Sequence, residues 1–106
     1  MNIFNRINKK ERIQEWIDWC DIPISIVPKE WGDIRKWSGE YHSKEKWIKI
    51  DGSQSEKEII KSIVHECCHW IHNDRPDDED IWRREERCRR VEKQWKSKPD
   101  EVDWND

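Results

Sequence analysis

No run of apolar residues in this 106-residue chain approaches the ~20 needed to cross a bilayer as a helix. That argues against a membrane-spanning protein. The N-terminal stretch MNIFNRINKK lacks the apolar core of a secretory signal, so the chain is expected in the cytoplasm. Excess basic charge is missing as well. The formal net charge is −3, which argues against a general nucleic-acid binder. No internal repeat or low-complexity segment is visible. Apolar residues are scarce: 33% of the chain is hydrophobic and 42% charged. Nine tryptophans partly offset this, because each buries a large area. The length predicts one domain. A small domain with so lean a core commonly relies on a metal or a cross-link. Disulfides are not expected, since Cys67 and Cys68 are adjacent on one helix and a cytoplasmic chain is kept reduced.

The elements follow from periodicity. Residues 8–20 predict a helix with Ile13, Trp16, Ile17 and Cys20 on one stripe, Asn8 as N-cap and Glu11 three residues on. Ile24 to Val27, between Pro23 and Pro28, predicts a short strand. Residues 28–39 are rich in breakers, with Trp31 and Trp37 expected by default to cover the core and, as the alternative, to line a cleft. Tyr41 to Ile50 predicts a hairpin turning at Lys44-Glu45-Lys46. A long helix follows over about 56–72, capped by Ser55 with Glu58. Its core stripe is Ile59, Ile60, Ile63, Val64, Cys67, Trp70 and Ile71, with Lys61, Ser62 and His72 on the polar side. Asp77 and Asp78 are expected to cap a last helix over about 79–96. That helix shows Ile81, Trp82, Glu85, Cys88, Val91 and Trp95 on one side, and a solvated stripe of Arg83, Arg87 and Arg90. The acidic tail, 98–106, is expected to be loose, with Trp104 able to dock back.

The chemistry is concentrated in one stretch of the long helix. His65-Glu66-Cys67-Cys68-His69 reads H-E-x-x-H. Histidines four apart lie one above the other on a helix, so both imidazoles can reach one metal ion. Glu66 between them can serve as general base toward water at that metal. A catalytic zinc takes three protein ligands. His72 lies ~10 Å further along the helix axis than His65, too far to share an ion. Cys67 and Cys68 point ~100° apart and are read as packing residues. Glu85 is the preferred third ligand. It is a carboxylate in an apolar stripe, where burial without a cation partner is costly. Glu86 points ~100° round the helix toward the charged face and is the alternative.

From Gly39-Glu40-Tyr41 through strand Trp47-Ile48-Lys49-Ile50, the H-E-x-x-H helix and Glu85-x-x-Cys88, the order resembles the zinc peptidases of the ImmA/IrrE type, over about residues 39–92. The SprT-like metalloprotease domain is similar in the same segment. Cys88 stands where the family commonly has Ala. The resemblance implies an α+β, minimal zincin-like domain over residues 1–97: an N-terminal helix, a small sheet with a hairpin, the H-E-x-x-H helix and a C-terminal helix bearing the third ligand. It implies one zinc per chain on His65, His69 and Glu85, with Glu66 as the base. The implied activity is hydrolysis of a peptide bond in a protein substrate, such as a repressor-type regulator. An extended substrate is expected to add to Trp47–Ile50 as an edge strand. Tyr41 or His42 is expected to donate to the developing oxyanion. The rival reading is a zinc-stabilised, non-catalytic protein-binding module, in which the metal holds the two helices together.

Overall fold

The computed structural model describes residues 7–28, 37–75, 77 and 79–105. Helix α1 (Lys9–Trp19) begins where Asn8 accepts a hydrogen bond from the Glu11 backbone N–H at 3.1 Å. Strand β1 (Ile24–Val27) lies between the two prolines. Strands β2 (Gly39–His42) and β3 (Trp47–Asp51) form the expected hairpin, pairing Tyr41 with Ile48 and Gly39 with Ile50.

The strand order β1-β3-β2 corrects one expectation. Trp47–Ile50 is not an edge. It lies centrally, parallel to β1 and antiparallel to β2. Its alternation reports one buried face, with Ile48 and Ile50 inward, and carries no information about how many strands flank it. The hairpin strand at the sheet edge is β2.

Helix α2 (Glu56–Ile71) starts at Ser55, whose Oγ accepts from the Glu58 N–H at 3.2 Å. That bond satisfies one of the backbone donors left open at a helix start. Ser55→Ala is expected to cost about 1 kcal/mol. A lowered urea midpoint with an unchanged slope would show it; an unchanged midpoint would discount the cap. Ile60, Ile63, Val64 and Cys67 are fully buried. The stripe is wider than periodicity suggests, because α2 packs on β2, β3, α1 and the last helix together. Ser62 and Cys68 are therefore buried too, while Ile71 in the last turn is exposed and Trp70 half-buried.

The last helix, α3 (Ile81–Val91), is shorter than expected. It runs into a 3-10 turn at Glu92–Gln94. Its N-cap is Asp80, without a side-chain capping bond; Asp77 does not cap it, and Asp78 lies outside the described residues. Trp82 is 77% exposed and not part of the inner stripe. It lies seven residues before Arg89, about 20° away round the helix, and shares that solvent face.

The tail is packed, not loose. Val102 joins the core, and the Trp104 ring stacks on Trp19 at 5.8 Å and meets Trp16 edge-on at 5.6 Å. Trp16, fully buried, centres this aromatic cluster. Trp31 falls outside the described residues, and Trp37 is exposed and lines a cleft, not the core. The four cysteines are free thiols. Among the described residues the fold is α+β, with three helices and a three-stranded mixed sheet. None of these helices is long and apolar enough to cross a membrane.

Candidate metal centre

His65 and His69 stand one turn apart on α2, with ring centroids 5.0 Å from each other. Across from them α3 presents Glu85. Its two oxygens divide between the rings: His65 Nε2 is 2.8 Å from Oε1, and His69 Nε2 is 3.0 Å from Oε2. Ligand atoms of all three residues lie within 4.8 Å of one another, a group that could hold a metal ion. Glu86 is exposed and belongs to no such group among the described residues.

The outward ring nitrogens are also engaged. His65 Nδ1 is 3.1 Å from Glu92 Oε1, and His69 Nδ1 is 2.8 Å from Asp74 Oδ2. Each imidazole thus has a carboxylate behind it and Glu85 in front. Burial works against charge on His65, but Glu85 and Glu92 outweigh it and hold the ring up to about 10. His69 is raised in the same way, against burial, by Glu85, Glu66 and Asp74. Hydrogen bonds from the two rings hold Glu85 well below the usual carboxylate range. Without a metal, the two rings and the Glu85 carboxylate thus favour one another's charged forms.

Glu66 is 8% exposed, and burial pushes its carboxyl up to about 7. It lines a cleft of about 540 Å³ together with His65, His69, Glu85, Gly39, Tyr41 and His42. Gly39 explains the close approach of β2. A Cβ there would lie 2.9 Å from Ile50 Cδ1 and 3.3 Å from Glu66 Cγ, so a side chain would force the Ile50 and Glu66 side chains to shift.

Tyr41 and His42 both line the cleft but point to opposite faces of β2. Tyr41 shares the α2-facing side with its partner Ile48 and packs against the core. His42 stacks on Trp47 at 3.5 Å and contacts Glu40 at 3.1 Å and Glu45 at 3.5 Å. His72, excluded as a ligand by its distance along the helix, bonds the Trp104 carbonyl at 2.7 Å. Cys67 and Cys68 are fully buried in a core that also holds Cys88 and is flanked by Cys20, so both serve the packing of α2 against its neighbours.

Sequence reasoning missed four residues around the site. Asp74 stands in the polar stretch after the motif helix, where the sequence reads it as ordinary surface charge. Arg87 was placed on a solvated stripe, yet it donates to Asp74 at 2.5 Å, and Arg84 donates to the other Asp74 oxygen. Glu92 lies seven residues past Glu85, two helical turns along the same face, a spacing that could have marked it. His69, Asp74 and Cys88 also cluster closely enough to hold an ion. Two guanidinium charges already sit on that carboxylate, and they oppose a cation there. No protein-family model, curated protein or solved structure matches the chain.

Proposed function

We propose that this chain is a zinc-dependent peptidase with a minimal zincin-like fold, of the ImmA/IrrE type that residues 39–92 resemble. The observation that carries the reading is the convergence of His65 Nε2 and His69 Nε2 on the two oxygens of Glu85. Two imidazole nitrogens and one carboxylate are a zinc donor set that leaves a position for water or substrate. Tetrahedral zinc with ~2.1 Å bonds sets its ligand atoms ~3.4 Å apart. The observed group, all within 4.8 Å, fits that spacing.

A zinc ion bound there supplies a Lewis acid that acidifies water and polarises a carbonyl. The protein does the rest. Glu66 sits in the cleft beside the three ligands, where burial makes it a stronger base than an ordinary carboxylate. It takes a proton from water and returns it to the leaving amine. Among the described residues β2 pairs only with β3, and its residues line the cleft. An extended peptide adds to β2, not to β3, through backbone hydrogen bonds. Tyr41, on the α2-facing side, is the donor toward the oxyanion; His42 is already held by Trp47, Glu40 and Glu45. The substrate is a segment of a protein, such as a regulator, that can be drawn out as a strand.

Metal content by mass spectrometry tests the site. One zinc per chain is expected in wild type and Glu86→Ala, and none in Glu85→Ala. Wild-type protein that stays metal-free after zinc is added would overturn the reading. A zinc-loaded chain that cuts nothing in a peptide library would favour the zinc-stabilised binding module instead.

A further inference from the structure

We propose that Asp74 is a positioning residue that sets two of the three candidate ligands at once, orienting the His69 ring directly and the Glu85 segment through Arg84 and Arg87. The inference rests on the metal site proposed above and assigns its control to a residue outside the motif.

The end of α2 places Asp74 by backbone geometry. Asn73 adopts a left-handed conformation, φ 53°, just past the C-cap His72. Its N–H donates to the Trp70 carbonyl at 3.0 Å, and the Asp74 N–H donates to the His69 carbonyl at 2.9 Å. These two bonds are the Schellman pattern, which satisfies the carbonyls left open at a helix end. They fold the chain back over the last turn. The residue whose amide caps the His69 carbonyl is thereby the residue whose carboxylate meets the His69 ring, 2.8 Å from Nδ1. Helix termination and ring orientation share one residue.

The other side of Asp74 faces α3. Arg84 bonds Oδ1 and Arg87 bonds Oδ2. These arginines sit one residue before and two after Glu85, so they flank the third ligand in sequence. Asp74 is 4% exposed, and a carboxylate buried this way requires its partners. The α2 end and the Glu85 turn of α3 are thus tied to one anion. Glu92 plays a simpler part, orienting His65 from a more exposed position. A ring nitrogen bonded to a carboxylate holds its tautomer and aims the opposite nitrogen at the ion, and loss of such a partner costs about 10–100-fold in metal affinity.

The test is zinc affinity by chelator competition, with the visible spectrum of the cobalt-substituted chain beside it. Asp74→Ala is expected to weaken zinc binding by about 10–100-fold and to shift the cobalt bands. Asp74→Asn keeps an oxygen acceptor for Nδ1–H and is expected to recover part of that loss. Arg87→Gln leaves the Asp74–His69 bond in place and loosens only the α3 side. It is expected to weaken zinc binding less than Asp74→Ala, and it keeps the test open should that variant fail to fold. Variants that melt at lower temperature yet keep wild-type zinc affinity and cobalt spectra would reduce Asp74 to a structural anion and overturn the positioning role alone. A wild-type chain that binds no zinc would overturn the metal site and this inference together.

Discussion

Glu66→Gln is expected to retain one zinc per chain while losing about 10²–10⁴-fold in peptide hydrolysis, the contribution of a positioned general base. The substitution is nearly isosteric, which suits a site with little spare room. Glu66 is almost fully buried, and its Cγ lies 3.3 Å from the place a Gly39 side chain would occupy. Glutamine removes the proton acceptor without opening a gap between β2 and α2. It also removes a carboxyl that burial has pushed up to about 7, so the variant should be no less stable than wild type above that pH. The measurement is release of new N-termini from a peptide library by the zinc-loaded variant, alongside its metal content and melting temperature. Turnover within a few-fold of wild type would remove Glu66 from the chemistry. Loss of zinc would instead make it part of the metal's support.

The features legible in the sequence were those set by local rules. Four-residue spacing put His65 and His69 on one face, and the polar residue inside an apolar stripe singled out Glu85. Ser55 and Asn8 were readable as caps because the capping bond spans only three residues. The misjudged features depend on what packs from elsewhere. Strand alternation in Trp47–Ile50 cannot distinguish a central strand from an edge, since β1 arrives from a distant part of the chain. Trp82 looked apolar enough for the core, but helix phase sets it with Arg89, outward. Asp74, Arg84, Arg87 and Glu92 read as ordinary surface charge. Their role appears only when α3 is laid against the end of α2. The one local trace was Asn73-Asp74 directly after the motif helix, an Asn at the position where helices turn left-handed to end.

The metal-free and zinc-loaded chains are expected to diverge as pH rises. His65 and His69 are raised in the folded state, so their contribution is complete below the ordinary histidine value of 6.5 and fades as pH rises; for His65 the loss runs up to about 10. Glu66, raised from 4.5 to about 7, also loses stability over that interval, because its charge must then be buried. Glu85 is lowered, so its contribution is complete above 4.5 and is lost only as the solution becomes more acidic. With respect to these groups the metal-free fold is most stable near pH 4.5 and weakens through neutrality. Zinc opposes that trend, because the ion needs both Nε2 atoms without protons. Each zinc bound displaces up to two of them, and affinity should rise by as much as about 100-fold per pH unit below the histidine values. At fixed excess zinc, a hundredfold gain in affinity adds about 2.7 kcal/mol of stability. Melting temperatures at pH 5.5, 6.5 and 7.5, with chelator and with excess zinc, should therefore diverge: the chelated curve falls while the gap between the two widens. A gap that stays constant across this range would mean that the ion is not taking the place of protons on His65 and His69, and the metal would have to be sought elsewhere on the chain.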